Sequence, residues 1–144
     1  MGRISYLEFS NRDCKYAHDM FTLENYNPCA RFCQQSVEKR FKHYVELVGS
    51  PEDTLFLSTH NLRRLYERVC QIAGADITRE RQSEMAILTE NYDVNYPKDI
   101  NLEVTKEMAE EAIEIMKNVN AWIDALLEKS PEDLTPEAPP PASV

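Results

Sequence analysis

The stretch that most limits how this chain can fold is residues 27–48, NPCARFCQQSVEKRFKHYVELV. Ala30, Cys33, Val37, Phe41, Tyr44 and Val48 recur at steps of three and four, which places them on one face of an α-helix. Arg31, Glu38, Lys39, Lys42 and Glu46 fall on the opposite side, with Glu38 and Lys42 in the favourable i,i+4 order. That side is expected to face water. Asn27 fits the N-cap and Pro28 the first helical position, where a missing N–H costs nothing. Gly49 stands where a glycine just past a helix end is expected.

The rest of the chain offers helices to pack around this one. At 144 residues it is one domain by length, large enough to bury about two-thirds of the surface its unfolded chain exposes. It has three glycines, and no stretch alternates in the β manner, so an all-α fold is expected. No apolar run approaches the roughly 18–20 residues of a membrane span. The opening MGRISYLEF has no apolar signal region, and Tyr6 stands where a myristoylation signal has Ser or Thr. A cytoplasmic location with four reduced cysteines is therefore expected.

The net charge of −9 is unevenly spread. Residues 103–144 hold ten acids and three bases, net −7, whereas residues 31–81 hold nine bases and seven acids, net +2. Such a chain is a poor non-specific binder of DNA or RNA, because phosphate contacts must come from Lys and Arg.

Residues 4–24 read as the first helix, with Tyr6, Phe9, Tyr16, Ala17, Met20 and Leu23 on one face and Asp13 as its one polar intruder. Residues 25–28 form the turn into the central helix. Ser50, Pro51, Glu52 and Asp53 carry a helix-start signature, but the apolar run after them is short, so one turn or a loop is expected. A third helix spans residues 60–73, capped by Ser58 or Thr59, with Leu62, Leu65, Tyr66, Val69 and Ile72 inward. A fourth covers residues 78–92, with Met85, Leu88 and Tyr92 inward. The fifth, residues 104–127, carries a continuous stripe of Val104, Met108, Ala112, Ile115, Val119, Trp122 and Leu126. The domain is placed at residues 1–129. Residues 130–144, with five prolines and no stripe, read as a disordered, polyproline-like tail.

Several of these pieces, in order, resemble the HEPN (higher-eukaryote and prokaryote nucleotide-binding) family. Ala30, Phe32, Gln34, Gln35, Glu38, Lys39 and Lys42 resemble its A-x-F-x-x-Q-Q-x-x-E-K-x-x-K helix. Asp13 with Ala17 is similar to a recurrent pair on its first helix. His60, Leu62 and Leu65 resemble the H-x-L-x-x-L entry to a later helix, and Leu88, Tyr92, Asn95, Tyr96 and Pro97 resemble L-x-x-x-Y-x-x-R-Y-P. Ala109, Ala112 and Ile115 match small and apolar positions of the last helix.

The resemblance implies an antiparallel four-helix bundle with an extra short helix, a homodimer, and a nucleotidyltransferase-like partner in a toxin–antitoxin or defence setting. Active members are metal-independent ribonucleases that use an Arg followed four to six residues later by a His. Here Asn95 stands at the arginine position, and Ile100, Asn101 and Leu102 stand where the histidine should fall. Asparagine supplies neither the cation that steadies a developing phosphate charge nor a base near neutral pH. No catalytic residue is therefore assigned. The expected role is a non-catalytic binding or regulatory protein, with a nucleotide or RNA ligand sought at Asn95, Tyr96, Tyr92 and His60. Two alternatives remain: a HEPN-type ribonuclease toxin, or an interaction module that uses its acidic last helix.

Other chemistry finds less support. Arg12 and His18 have a suitable gap, but they lie about 240° apart around one helix at 3.6 residues per turn. Cys14 with His18 and Cys29 with Cys33 are helical i,i+4 pairs. At a rise of about 1.5 Å per residue the two pairs are expected to sit roughly 10 Å or more apart along the hairpin, too far for zinc. His60 in the first turn of its helix would be held neutral by the positive helix end. Glu107, Glu110, Glu111 and Glu114 read as a solvated flank. No phosphate loop, H-E-x-x-H or nucleophile elbow is present, and no cofactor or metal is implied.

Overall fold

The computed structural model describes residues 4–93 and 103–134, with the side chains of 91–93 and 130–134 outside the description. The chain folds as an all-α bundle of five α-helices and one 3₁₀ helix, with no strand among the described residues. The helices are α1 (Tyr6–Thr22), α2 (Tyr26–Val48), the 3₁₀ segment Pro51–Ser58, α3 (Leu62–Ala73), α4 (Arg79–Asp93) and α5 (Lys106–Leu134). No described helix is long and apolar enough to cross a membrane.

α2 is the hub. It packs against every other helix, most extensively α1 and then α5. The expected stripe of Ala30, Cys33, Val37, Phe41 and Tyr44 is fully buried. α1 runs antiparallel to α2. α5 runs the same way as α2, since Ser36 bonds Asn120 and Arg40 bonds Asp124. The α5 stripe is buried at Val104, Ala112, Ile115 and Val119, with Ala109, Met116 and Ile123 beside it.

Local chemistry sets the helix ends, and in several places differently from the sequence expectation. Ser5 and Glu8 form a reciprocal capping box on α1. The turn into α2 lies at residues 23–25. Glu24 adopts a left-handed φ of 62°, and the Asn25 N–H bonds Met20 O at 2.8 Å. α2 therefore starts at Tyr26 with Asn25 as its N-cap, and Asn27 is not the cap. Pro28 remains in the first turn, where its N–H has no helical acceptor to miss. Gly49 is extended (φ −73°) rather than left-handed. A Cβ there would fall 2.6 Å from Val45 O and 2.8 Å from Asp53 Oδ2, so close approach excludes a side chain.

The turn or loop expected after Gly49 is a 3₁₀ helix. Its Asp53 accepts the Ser50 N–H and the Arg68 Nε–H, and the Arg68 hydrogen bond is the main reason its carboxyl lies below the usual range. α3 begins at Leu62 with Asn61 as cap, two residues later than expected. Thr78 and Thr105 cap the starts of α4 and α5. α5 continues to Leu134, past the boundary expected at residue 129. The proline-rich remainder, residues 135–144, lies outside the described residues.

Asn27 has a different duty. Its Oδ1 accepts the backbone N–H of Val104 at 2.8 Å and ties the start of α2 to the approach to α5. Asn27→Ala removes that acceptor and is expected to cost about 1 kcal/mol in urea unfolding, with faster amide exchange at Val104.

Candidate functional site

One face of α2 carries Gln34, Glu38 and Lys42 at successive steps of four. The sequence reading sent Glu38 and Lys42 to water, and the structure corrects this: Glu38 is 1% exposed and Lys42 4%. The reason is topological. Neighbouring helices wrap the middle of α2, so its polar residues there must satisfy one another, whereas Arg31 and Glu46 nearer its ends are exposed as expected.

They do so around the Glu38 carboxylate. Lys42 Nζ donates to Oε2 at 3.0 Å, and Gln34 Nε2 donates to Oε1 at 3.2 Å. Gln35 Nε2 bonds Gln34 Oε1 at 2.8 Å, and Lys39 Nζ bonds Gln35 Oε1 at 3.1 Å. Burial pushes the Glu38 carboxyl upward, but the hydrogen bonds from Lys42, His60 and Gln34 together outweigh it. The net shift is downward, and Glu38 is held as an anion.

His60 lies just before α3 and its N-cap Asn61, not in the first turn of the helix. Its Nδ1 is 2.9 Å from Glu38 Oε2, while its side chain is 76% exposed. An ionised carboxylate only accepts, so Nδ1 carries the hydrogen. In the neutral ring this leaves the Nε2 lone pair free. A buried acid thus steers an exposed imidazole, the arrangement that fixes the tautomer and orientation of a working histidine.

Asp13 flanks the cluster from α1. Burial raises its carboxyl, Lys39 and Arg12 pull it down, and the Glu38 charge adds to the rise. Arg12 and Lys39 both sit over the Phe9 ring, 5.6 and 5.7 Å from its centroid. Arg12, Lys39 and Lys42 thus face Asp13 and Glu38 in an alternating set that is slightly basic on an acidic chain.

Of the four ligand positions expected from sequence, the structure places His60. Asn95 and Tyr96 lie outside the described residues, and Tyr92 is near the end of α4 with its side chain outside them. Glu38 and Lys42 were missed, although the signal was present: the Q-Q-x-x-E-K-x-x-K run spaces Gln34, Glu38 and Lys42 by four, as a mutually bonded ladder requires. Arg12 and His18 are both exposed, with Arg12 on Phe9. The α5 acids Glu107, Glu110, Glu111 and Glu114 are exposed, as expected.

The cysteine geometry also differs from expectation. Ser10 and Ser36 exchange hydroxyl-to-carbonyl bonds of 2.7 and 2.8 Å, and the Tyr16 and Phe32 rings meet at 5.3 Å. This register sets Cys14 level with Cys33 rather than far along the hairpin. His18 is exposed, and among the described residues no group of three His, Cys, Asp or Glu is arranged to hold a metal ion.

Comparison with known proteins adds one finding. The family model described as HEPN domain matches residues 5–126, most of the chain. No curated protein and no solved structure gives a significant match. The family links this fold to nucleotide- and RNA-related functions and to frequent dimerisation. With a buried Glu38–Lys42 ladder at the centre of an all-α bundle, and a match over nearly the whole described chain, this protein belongs to the HEPN family.

Proposed function

We propose that the chain is a binding or regulatory HEPN protein that works without the family's Arg/His ribonuclease pair. It acts as a homodimer in the cytoplasm, beside a nucleotidyltransferase-like partner in a toxin–antitoxin or defence-type system. Its ligand is a nucleotide or the phosphate of an RNA, met by His60 and completed by Tyr92, Asn95 and Tyr96. The observation that carries this reading is the buried Glu38, which pre-orients the exposed His60 imidazole 2.9 Å away. A ring fixed before the ligand arrives loses little entropy on binding, and in its imidazolium form it keeps Nδ1–H on Glu38 while Nε2–H donates to a phosphate oxygen. Arg12 and Lys39 supply the local positive charge that an anionic ligand needs, while Lys42 is spent on Glu38.

The test is a calorimetric titration of the full chain with ATP and with a short RNA. Binding is expected, and His60→Ala, with its folding checked by circular dichroism because it removes one donor from Glu38, is expected to weaken it by about tenfold, the equivalent of about 1.4 kcal/mol. Equal affinity in wild type and His60→Ala would remove His60 from the site. A monomer at micromolar concentration would count against the dimer.

The ribonuclease alternative has one observation in its favour, the free Nε2 of a carboxylate-held histidine. Incubation with total RNA, with and without chelator, separates the readings. The binding reading expects no cleavage above buffer; cleavage that survives chelator and vanishes in His60→Ala would overturn it.

A further inference from the structure

The α1–α2 hairpin carries three thiols that neither reading uses. Cys29 and Cys33 are buried on α2, Cys14 is half-buried on α1, and all are free. Their arrangement follows from the register. Four residues forward along α1 from Ser10 and three back along α2 from Ser36 lie Cys14 and Cys33. Two further along α1 and one further back along α2 lie Tyr16 and Phe32. The Ser10–Ser36 bonds and the Tyr16–Phe32 ring contact bracket the pair, so the register brings Cys14 and Cys33 to the same level of the hairpin, between two observed contacts. Cys14 is close enough for its charge to act on Cys33, and Cys33 is hydrogen-bonded to Cys29.

The two possible bridges are not equivalent. Residues four apart on a helix hold their Cβ atoms about 5–6 Å apart, whereas a disulfide needs roughly 3.5–4.5 Å. A Cys29–Cys33 bridge would have to unwind the first turns of α2. A bridge between helices at the same level needs no such change.

We propose that Cys14 and Cys33 form a reversible disulfide clip across the α1–α2 hairpin, closed by hydrogen peroxide. Cys14, the most accessible of the three, reacts first. Its sulfur attacks one peroxide oxygen, the O–O bond breaks, and Cys14 becomes a sulfenic acid as one water leaves. The Cys33 sulfur then attacks the Cys14 sulfur. The S–S bond forms, the S–O bond breaks, and the departing hydroxide leaves as a second water with the proton Cys33 gives up. Two thiols lose two electrons and one peroxide is reduced to two waters. The bond to Cys29 and burial push the Cys33 thiol up, so its proton leaves with the departing hydroxide as the S–S bond forms.

The experiment treats the full native chain with hydrogen peroxide, quenches free thiols, and reads intact mass and non-reduced peptide maps. The expected result is a monomeric species lighter by two hydrogens, with Cys14 linked to Cys33, a raised thermal midpoint, and full reversal by dithiothreitol. Cys14→Ser is expected to lose the link, and Cys70→Ser to keep it. Any of three outcomes on the wild-type chain would overturn the proposal: oxygen added at Cys14 with no cross-link, a Cys29–Cys33 or intermolecular link, or no change in mass.

Discussion

Glu38→Ala is expected to destabilise the fold by about 3–5 kcal/mol, because it leaves the Lys42 ammonium buried without its counter-ion. Lys42 has a side chain only 5% exposed, so it cannot recover hydration by a small rotation. Gln34 and His60 lose the same acceptor. The magnitude follows from the orphaned charge, and a double variant tests that origin. Glu38→Ala with Lys42→Met removes both charges and is expected to regain most of the loss, as paired removal of a buried ion pair often does. Urea unfolding of the two single variants and the double one gives the coupling directly. If the double variant is no more stable than Glu38→Ala alone, the buried charge is not the cause.

The same pair carries a pH dependence whose sign is fixed. The Glu38 carboxyl is lowered from its ordinary value of 4.5, so the folded state binds its proton less readily than the unfolded chain. Its contribution is present in full above about 4.5 and is lost as pH falls through the lower folded value. The gap between wild type and Glu38→Gln is therefore expected to be constant from neutrality to mild acid and to close below that. Asp13 works in the opposite direction. Its raised carboxyl binds a proton more readily when folded, so its own contribution improves as pH falls.

What could be read from the sequence divides along the range of the interactions. The stripe from Ala30 to Tyr44 and the stripe leading into and along α5 follow from apolar periodicity; the first is buried, and the second is buried at Val104, Ala112, Ile115 and Val119 and half-buried at Met108, Trp122 and Leu126. Capping is local as well, and the Ser50–Asp53 start signal was legible even though it opens a 3₁₀ helix. The polar face of α2 was not, because periodicity assigns polar residues to water and does not reveal that a helix is surrounded. Glu38 meets His60 from 22 positions away, and Asn27 meets Val104 across 77. No spacing rule reaches that far. The HEPN resemblance reached His60 and the glutamate motif separately, but only the fold joins them. The cysteine argument failed for a related reason: it measured along the hairpin from the turn and ignored that antiparallel helices set early α1 residues level with later α2 residues.

Arg40 is the second position where one substitution should have a large effect. Its side chain is 7% exposed and fixes three partners on two neighbouring helices: Ser10 Oγ through Nε at 2.9 Å, Asn11 Oδ1 through Nη2 at 2.7 Å, and Asp124 Oδ1 through Nη1 at 2.8 Å. Asn120 joins the group through Ser36 Oγ at 3.0 Å, so α1, α2 and α5 are held by one polar knot. Hydrogen bonds to a charged group contribute about 1.5–3 kcal/mol each, though Asn11 and Asp124 can recover water when the arginine goes. Arg40→Ala is therefore expected to cost about 3 kcal/mol, within the span of a single such bond plus the packing of the long side chain. Arg40→Lys is expected to recover little of this, because an ammonium cannot present three directed N–H groups in one plane. Asp124→Ala, at the far end of the same bridge but 50% exposed, is expected to cost less than about 1 kcal/mol. The asymmetry is the informative result: if Arg40→Lys matched wild type, or Asp124→Ala cost as much as Arg40→Ala, the knot would owe its strength to the ion pair alone and not to the guanidinium's reach across three helices.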